Sequence, residues 1–258
     1  MTTTSRRGAL LSLALGVSLL GCWGGTGQAP DGPATEAADD GPEWFEDVTD
    51  GVGLDFVHDP GPTGTYFMPQ GMGSGCAVIH DGDGTLYLYL LQFGGPGSGS
   101  VNRLYKRLKD GTFQDVTRGS GLDVDGHNMG VAVGDVNNDG LPDVLLTQYG
   151  GVRLFLNQGG GHFEDVTAEA GLRNRLWATS AAFVDYDRDG WLDLVVVNYL
   201  DYDPRKDCLS PKGTRDFCGP ASFPGTCSKL FRNLGPGPGA DGSTIGIYQK
   251  DKNLRCVL

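Results

Sequence analysis

The feature that most constrains the fold of this chain is an internal repeat. A pentapeptide of the form Phe-x-Asp-Val-Thr, followed shortly by Gly-Leu, occurs at 45–49, 113–117 and 163–167. A short basic–leucine–aromatic stretch also occurs three times, at Arg103–Tyr105, Arg153–Phe155 and Lys229–Phe231. An Asp-rich loop that leads into an apolar run is the third recurring element, at 81–91, 135–146 and 185–197. Three different elements that recur in one order predict a repeating structural unit.

Each unit has the composition of four short strands joined by tight turns. In the second unit the strand candidates, rich in β-branched and aromatic residues, are Val131–Val133, Val144–Thr147, Val152–Leu156 and Phe163–Val166. Glycine contributes 43 and proline 14 of the 258 residues, which suits many turns. Four short strands in about 40–50 residues are typical of a β-propeller blade. We therefore expect an all-β propeller over 44–258, with blades at about 72–122, 129–172 and 177–250.

Three blades are fewer than the 4 to 8 of a closed propeller, so we expect the propeller to be incomplete in this chain. After Gly246 the sequence becomes polar, and no Phe-x-Asp-Val-Thr element ends the third unit. This tail favours a truncated member of a longer propeller family. A chain with open blades would expose strand edges and depend on other copies or aggregate.

The cysteines suggest a disulfide within an insertion that interrupts the third unit. This insertion, 200–228, is rich in proline and glycine and contains Cys208, Cys218 and Cys227. In an exported protein two of the three are expected to pair, Cys208 with Cys218 first. Zinc is disfavoured because the spacing is not Cys-x-x-Cys and no histidine is near. Cys256 is expected to be a free thiol and Cys76 a small buried residue.

The amino-terminal residues predict export. Residues 1–21 carry two arginines and then the apolar run Ala9–Leu20, which is too short for a membrane helix of about 20 residues. The run ends in Leu-Leu-Gly-Cys and resembles a bacterial lipobox, which implies that Cys22 is lipidated. The alternatives are an ordinary signal peptide or a twin-arginine signal. Residues 22–43 have little to bury and are expected to form a flexible tether. The expected location is the periplasm or cell surface, as a membrane-anchored lipoprotein.

The charge of the chain limits its partners. With 20 basic and 32 acidic residues the formal net charge is −12, which disfavours binding to nucleic acid or to an anionic membrane surface. Membrane contact is therefore expected through the lipid anchor only. The natural partners of such a chain are cations.

Two of the Asp-rich loops have oxygen donors at positions 1, 3, 5 and 9, glycine at position 6 and a backbone carbonyl at position 7. The first loop contains Asp135, Asn137, Asp139, Leu141 and Asp143; the second contains Asp185, Asp187, Asp189, Trp191 and Asp193. Oxygen donors without histidine or cysteine select calcium. Leu146 and Val196 stand where an EF-hand has its glutamate, so we expect strand–loop–strand sites. The alternative is a polar turn without metal.

The earliest copy of the loop is degenerate. Only Asp81 and Asp83 match the ligand positions, because Ile79 and Tyr87 occupy positions 1 and 9. We expect weak calcium binding or none there.

The two complete loops and the strands around them resemble FG-GAP/VCBS repeats, the calcium-binding blades of integrin-type propellers. Two stretches carry the resemblance. The first begins at Met129 and continues through the loop to Asp143, and the second begins at Ala181 and continues through the loop to Asp193. The Phe-x-Asp-Val-Thr and Gly-Leu elements are similar to the narrower ASPIC/UnbV-associated, cartilage-acidic-protein-like branch, and the likeness covers about 44–245. The resemblance implies a secreted or surface-anchored propeller with calcium in its loops that serves adhesion or recognition.

The favoured function is recognition of a protein or polysaccharide outside the cytoplasm, with no catalytic residue. The four histidines are scattered and none adjoins a nucleophile motif. The alternative is a hydrolase or lyase in which the propeller carries a divalent-metal active site and the cysteine-containing insertion forms a lid.

Overall fold

The computed structural model describes residues 44–62 and 64–235, and the backbone of 248–250. The chain divides into two units, Met1–Glu46 and Asp47–Leu258, and the architecture below is that of the second. The predicted signal (1–21), the tether (22–43), Cys22 and Cys256 lie outside the described residues. Within the described part of the chain, no helix is long and apolar enough to cross a membrane.

Three four-stranded antiparallel sheets build this unit, which confirms the all-β prediction. Blade 1 contains β1 (Cys76–His80), β2 (Leu86–Leu90), β3 (Arg103–Arg107) and β4 (Phe113–Asp115). Blade 2 contains β5 (Asn128–Gly134), β6 (Asp143–Gln148), β7 (Gly151–Asn157) and β8 (Phe163–Asp165). Blade 3 contains β9 (Ala178–Val184), β10 (Asp193–Asn198), β13 (Lys229–Asn233) and β14 (Tyr248–Lys250). Between β10 and β13, the insertion forms a separate hairpin of β11 (Cys208–Leu209) and β12 (Arg215–Asp216). Two short 3₁₀ helices, Met68–Met72 and Pro220–Ser222, lie outside the sheets.

The first strands of the three blades, β1, β5 and β9, are neighbours in that order. This arrangement fits consecutive blades of a propeller, and the described residues do not close a ring.

The third blade has a fourth strand although no Phe-x-Asp-Val-Thr element ends it. β14 pairs Lys250 with Phe231 of β13, just as β8 pairs Asp165 with Phe155 of β7. The strand forms without the Phe-x-Asp-Val-Thr sequence because an antiparallel ladder is made by backbone N–H and C=O groups.

The Phe-x-Asp-Val-Thr motif fastens the fourth strand to the third in blades 1 and 2. In blade 2 the Arg153 guanidinium lies 2.6 Å from Asp165 Oδ2, and Thr167 Oγ1 accepts the N–H of Leu154 at 2.9 Å. Blade 1 repeats both contacts with Arg103, Asp115, Thr117 and Leu104. The motif and the basic–leucine–aromatic stretch therefore recur together because each contains the bonding partners of the other.

The hydrophobic core lies between blades. Val144 and Leu146 of β6 pack into a cluster with Tyr89 of blade 1, whereas Leu145 packs into a second cluster with Leu194 of blade 3. Successive side chains of a strand point to opposite faces, so one strand supplies both interfaces. Each interface needs its neighbouring blade to exclude water.

The insertion packs on a third apolar cluster at the end of the blades remote from the Asp-rich loops. The cluster is rich in aromatic rings and includes Phe93, Trp177, Tyr202 and Phe223. His127, half-buried, lies among these rings with Nδ1 3.2 Å from the Phe93 carbonyl oxygen.

The structure joins Cys208 and Cys218 in a disulfide inside the insertion, and Cys227 is also disulfide-bonded. Cys76 is a free, exposed thiol, which corrects the expectation that it is buried. It begins β1, and its side chain alternates with that of Ala77 and so lies on the same face as exposed Val78.

The packing between blades 2 and 3 predicts unequal effects for two identical substitutions. Leu145→Ala removes a fully buried side chain from that interface and should lower the free energy of unfolding by about 2–5 kcal/mol. Leu209→Ala, at a residue that is 68 % exposed in the insertion, should change it by less than about 0.5 kcal/mol. Urea denaturation followed by tryptophan fluorescence measures both. Equal effects would contradict an interblade core.

Candidate metal centre

The two complete Asp-rich loops connect the first and second strands of neighbouring blades. Residues 135–142 link β5 to β6, and residues 185–192 link β9 to β10. The loops touch, since Asn138 Nδ2 donates a hydrogen bond of 2.9 Å to the carbonyl oxygen of Gly190. The repeat therefore brings two copies of the same oxygen-rich loop side by side.

Both loops have the same backbone turn. Asn138 and Arg188 have φ of 57° and 63°, and Gly140 and Gly190 have φ of 88° and 89°. Glycine adopts this left-handed region without the steric cost that a Cβ atom brings, which explains its place at position 6. The turn directs the backbone N–H groups of positions 5 and 6 onto the first aspartate.

In the second loop three carboxylates converge. One oxygen each of Asp185, Asp187 and Asp193 lie within 4.8 Å of one another. Asp185 accepts the N–H groups of Asp189 and Gly190, both at 3.1 Å, so its carboxylate is fixed before any ligand arrives. Asp189, which was also expected to be a ligand, is not in this group; its Oδ1 accepts the Trp191 N–H at 3.0 Å.

The carboxylates at position 9 are buried and bind backbone on two sides. Asp143 accepts the N–H groups of Val136 and Asn157, both at 2.9 Å. Asp193 accepts those of Tyr186 and Asn233 at 3.1 and 2.8 Å. Each one therefore joins the start of its loop to the end of the third strand of its blade.

The pKa of the Asp143 carboxyl is raised to about 7, chiefly because the group is buried. The charges of Asp139 and Asp135 also raise this pKa, whereas the two backbone hydrogen bonds lower it. Burial likewise raises the pKa of Asp193. Both shifts arise without a cation, and a cation beside these groups would favour the ionised form.

The first loop carries less negative charge than the second because Asn137 stands where Asp187 stands. The amide nitrogen of Asn137 donates to Asp139 Oδ2 at 2.8 Å, while its Oδ1 accepts the N–H of Asp139. Leu141, whose carbonyl was expected to be a ligand, donates its own N–H to Asp139 Oδ1 at 2.8 Å.

An arginine from the third strand of blade 3 enters the second loop, and the motif search missed it. Arg232 Nε lies 2.6 Å from Asp187 Oδ2, and its Nη2 lies 3.0 Å from Asp189 Oδ2. The hydrogen bond to Asp189 and the charge of Asp187 raise the pKa of the guanidinium. Blade 2 has Leu156 at the equivalent place, so aligning the two third strands could have revealed the extra charge.

The degenerate copy in blade 1 is a tight turn. Gly84 N–H bonds to the Asp81 carbonyl oxygen at 2.9 Å, and Asp83 Oδ1 accepts the Thr85 N–H at 2.8 Å. Asp81 is buried, and its Oδ1 accepts a hydrogen bond of 3.2 Å from Asn157 of blade 2. In this loop the aspartate binds the next blade.

The donor set of the complete loops suits a hard cation. A carboxylate has about four lone-pair sites, so oxygens that accept one backbone N–H each keep lone pairs for a metal. Asp185 and Asp193 meet this condition. One oxygen of each lies within 4.8 Å of an oxygen of Asp187, whose Oδ2 is paired with Arg232. In the first loop Asp135, Asn137 and Asp143 are the equivalent residues.

Comparison with known proteins agrees with this repeat architecture. Residues 80–146 and 135–196 each match the FG-GAP-like repeat. The matched ranges run from the end of β1 to β10 and contain both complete loops. The four-stranded antiparallel sheets are those expected of FG-GAP propeller blades.

The chain is also similar to a vertebrate protein. Over 169 residues it is 31 % identical to cartilage acidic protein 1 of Xenopus tropicalis, which covers 61 % of this chain. The aligned region is 24 % of that protein, so the chain spans about a quarter of the relative's length.

The turn geometry predicts a position-specific cost for adding one methyl group. Gly190→Ala places a Cβ at φ of +89° and should lower the free energy of unfolding by about 1–2 kcal/mol, although no atom lies within 4 Å of the new group. Gly219→Ala is the control, because Gly219 has φ of −73° and equally open surroundings. Chemical denaturation of both variants tests this, and a loss of the same size in Gly219→Ala would refute the strain argument.

Proposed function

We propose that this protein is an exported, lipid-anchored β-propeller repeat protein that binds calcium in two blade loops and recognises a protein or polysaccharide outside the cytoplasm. The observation that carries the proposal is the convergence of Asp185, Asp187 and Asp193 in a loop that lies within a matched FG-GAP-like repeat. The repeat family and the similarity to cartilage acidic protein 1 support an extracellular role in recognition or adhesion.

Calcium is the cation that best fits the loop chemistry. The candidate ligands are carboxylate, amide and carbonyl oxygens, and calcium accepts 6–8 such oxygens in flexible geometry. Magnesium demands a near-ideal octahedron and keeps several waters, which a loop with several converging carboxylates suits less well. Zinc and copper prefer nitrogen or sulfur donors, and neither loop contains histidine or cysteine.

The role of the cation would be structural. Asp143 and Asp193 are fully buried, and each already accepts two backbone N–H groups. A cation held by these residues would tie the loop to the second strand and reduce the repulsion among the acidic groups. This favours a recognition protein over an enzyme, whose catalytic metal needs an open coordination position.

Lipid attachment at Cys22 would place the propeller outside the cytoplasm on a tether of about 20 residues, which reaches roughly 25 Å as a random coil. The net charge of −12 is consistent with a protein that contacts the membrane only through its anchor. The surface it recognises would then be presented away from the bilayer.

Calcium binding predicts a melting temperature that depends on the cation. At calcium concentrations about 100-fold above Kd, each site should raise Tm by roughly 5–10 °C. Asp187→Ala should remove the contribution of the second loop, whereas Asp81→Ala in the degenerate copy should leave the calcium-induced rise unchanged. Differential scanning calorimetry with calcium and with chelator measures this. A Tm that is indifferent to both would eliminate the calcium proposal.

Arg232 is expected to compete with the cation in the second loop. It pairs with two of the acidic groups, so Arg232→Leu, which copies Leu156 of blade 2, should tighten calcium binding there by roughly tenfold and lower the stability of the calcium-free protein. Arg215→Leu is the control, since Arg215 pairs with Asp207 in the insertion. Isothermal titration measures the affinity. Weaker binding in Arg232→Leu would show that the arginine supports the site.

A further inference from the structure

The linker that follows β8 forms one wall of a groove beside blade 2. The groove has a volume of about 740 Å³ and is lined by the end of the Phe-x-Asp-Val-Thr motif and by residues 172–175. The equivalent groove beside blade 1 is smaller, about 350 Å³. Volumes of about 300–1,000 Å³ are typical of sites for small molecules. The groove beside blade 2 is therefore large enough to hold a ligand.

The two linkers differ in charge at equivalent positions. Both follow a Gly-Leu pair, and the next three residues are Asp-Val-Asp at 123–125 in the first linker and Arg-Asn-Arg at 173–175 in the second. Asp123 lines the first groove, so the fold accepts an acid at this place. The two arginines are thus a property of the second groove and not a requirement of the blade.

Arg173 and Arg175 lie on the same side of their linker. Exposure alternates along it, since Leu172 and Asn174 are buried and the two arginines are exposed. Neither arginine forms an ion pair with a residue that the structure describes. Two neighbouring guanidinium groups without acidic partners provide a binding site for an anion.

The linker is held in place before any ligand binds. Asn174 Nδ2 donates a hydrogen bond of 2.7 Å to Asn198 Oδ1, and Lys229 Nζ donates one of 3.0 Å to the carbonyl oxygen of Arg173. Both contacts tie the linker to blade 3. A wall that is already ordered lowers the entropic cost of binding.

The groove also contains acceptors without partners. The Glu169 carboxylate lines the groove and forms no ion pair or hydrogen bond within the described part of the chain. Asn174, another lining residue, is only 5 % exposed, and its Oδ1 is buried without a hydrogen-bond partner. A buried acceptor without a donor costs free energy, which a donor bound in the groove would recover. The groove therefore suits a ligand that carries hydroxyl donors as well as a negative charge.

We propose that this groove binds a carboxylated sugar of an acidic polysaccharide. A uronic acid carries one carboxylate and several hydroxyl groups on a single ring. Its carboxylate accepts hydrogen bonds from Arg173 and Arg175, whose planar guanidinium groups match the geometry of a carboxylate. Its hydroxyl groups donate to Glu169 and Asn174. An acidic peptide would also match the arginines, but its further carboxylates would lie close to Glu169 and be repelled.

This inference rests on the proposed recognition function and narrows its ligand to an acidic polysaccharide. The net charge of −12 opposes the long-range attraction of a polyanion. Short-range contacts with the two arginines must then hold the carboxylate, so removal of either arginine should be felt directly.

The test is isothermal titration of the full chain, purified in a non-ionic detergent, with trigalacturonate as the probe. Calcium and chelator should give the same Kd, because the residues that line the groove lie outside the Asp-rich loops. Arg173→Asp and Arg175→Asp, which copy the acids of the first linker, should each weaken binding about tenfold. The methyl ester of the probe, which keeps the ring hydroxyls but has no charge, should also bind about tenfold more weakly.

Arg118→Asp is the matched control. It makes the same charge reversal at an exposed arginine that lines the groove beside blade 1, and it should leave the Kd unchanged. All variants should keep the far-ultraviolet circular dichroism of the wild type.

Four outcomes would overturn the inference: no binding of trigalacturonate, binding that requires calcium, tetraglutamate bound as tightly as trigalacturonate, or equal affinity in the wild type and both linker variants. A methyl ester that binds as tightly as the acid would overturn the role of the carboxylate but leave polysaccharide recognition standing. The calcium-dependent Tm is measured without saccharide, so it tests the calcium sites of the proposed function separately.

Discussion

The structure depends on the burial of sheet faces between neighbouring blades. Each blade is one sheet thick, so its apolar residues can leave water only against another sheet. β6 shows how this works, with Val144 and Leu146 in one interface and Leu145 in the other. Stability in such an array is a sum of contacts between adjacent units. Among the described residues, Val78 of blade 1 and Val184 and Val197 of blade 3 are exposed on the faces that point away from blade 2.

Polar side chains add a second set of links between the same neighbours. Asn157, at the end of the third strand of blade 2, donates to Asp81 of blade 1 and to the Pro142 carbonyl. Asn233 at the equivalent place in blade 3 donates to the carbonyl oxygens of Val136 and Leu192. One side-chain type therefore joins the loop of its own blade to the loop of the preceding one. The hydrophobic interfaces and the Asp-rich loops are connected parts of one array.

Much of this architecture could be predicted from the sequence, because repetition amplifies weak local signals. The strands of blade 2 and the positive φ at Gly140 and Gly190 follow from local patterns of β-branched residues and glycine. The pairing of β14 with β13 comes from backbone groups, so the fourth strand of the blade expected at about 177–250 forms without the motif. The loop pattern does not predict Arg232, because the arginine comes from a strand about 40 residues away in a different part of the blade. The residue type of Cys76 predicts a buried side chain. The alternation of side chains along β1 instead places it on the exposed face of the strand.

The hydrogen bond from Asn138 to the Gly190 carbonyl oxygen links the two complete Asp-rich loops. It joins the turn of one loop to the residue that also donates its N–H to Asp185 in the next loop. If both loops take up calcium, ordering of the first turn changes the free energy of filling the second, and the effect is reciprocal. Calcium binding to the two loops would then be cooperative, because the affinity of one loop would depend on whether the neighbouring loop is occupied.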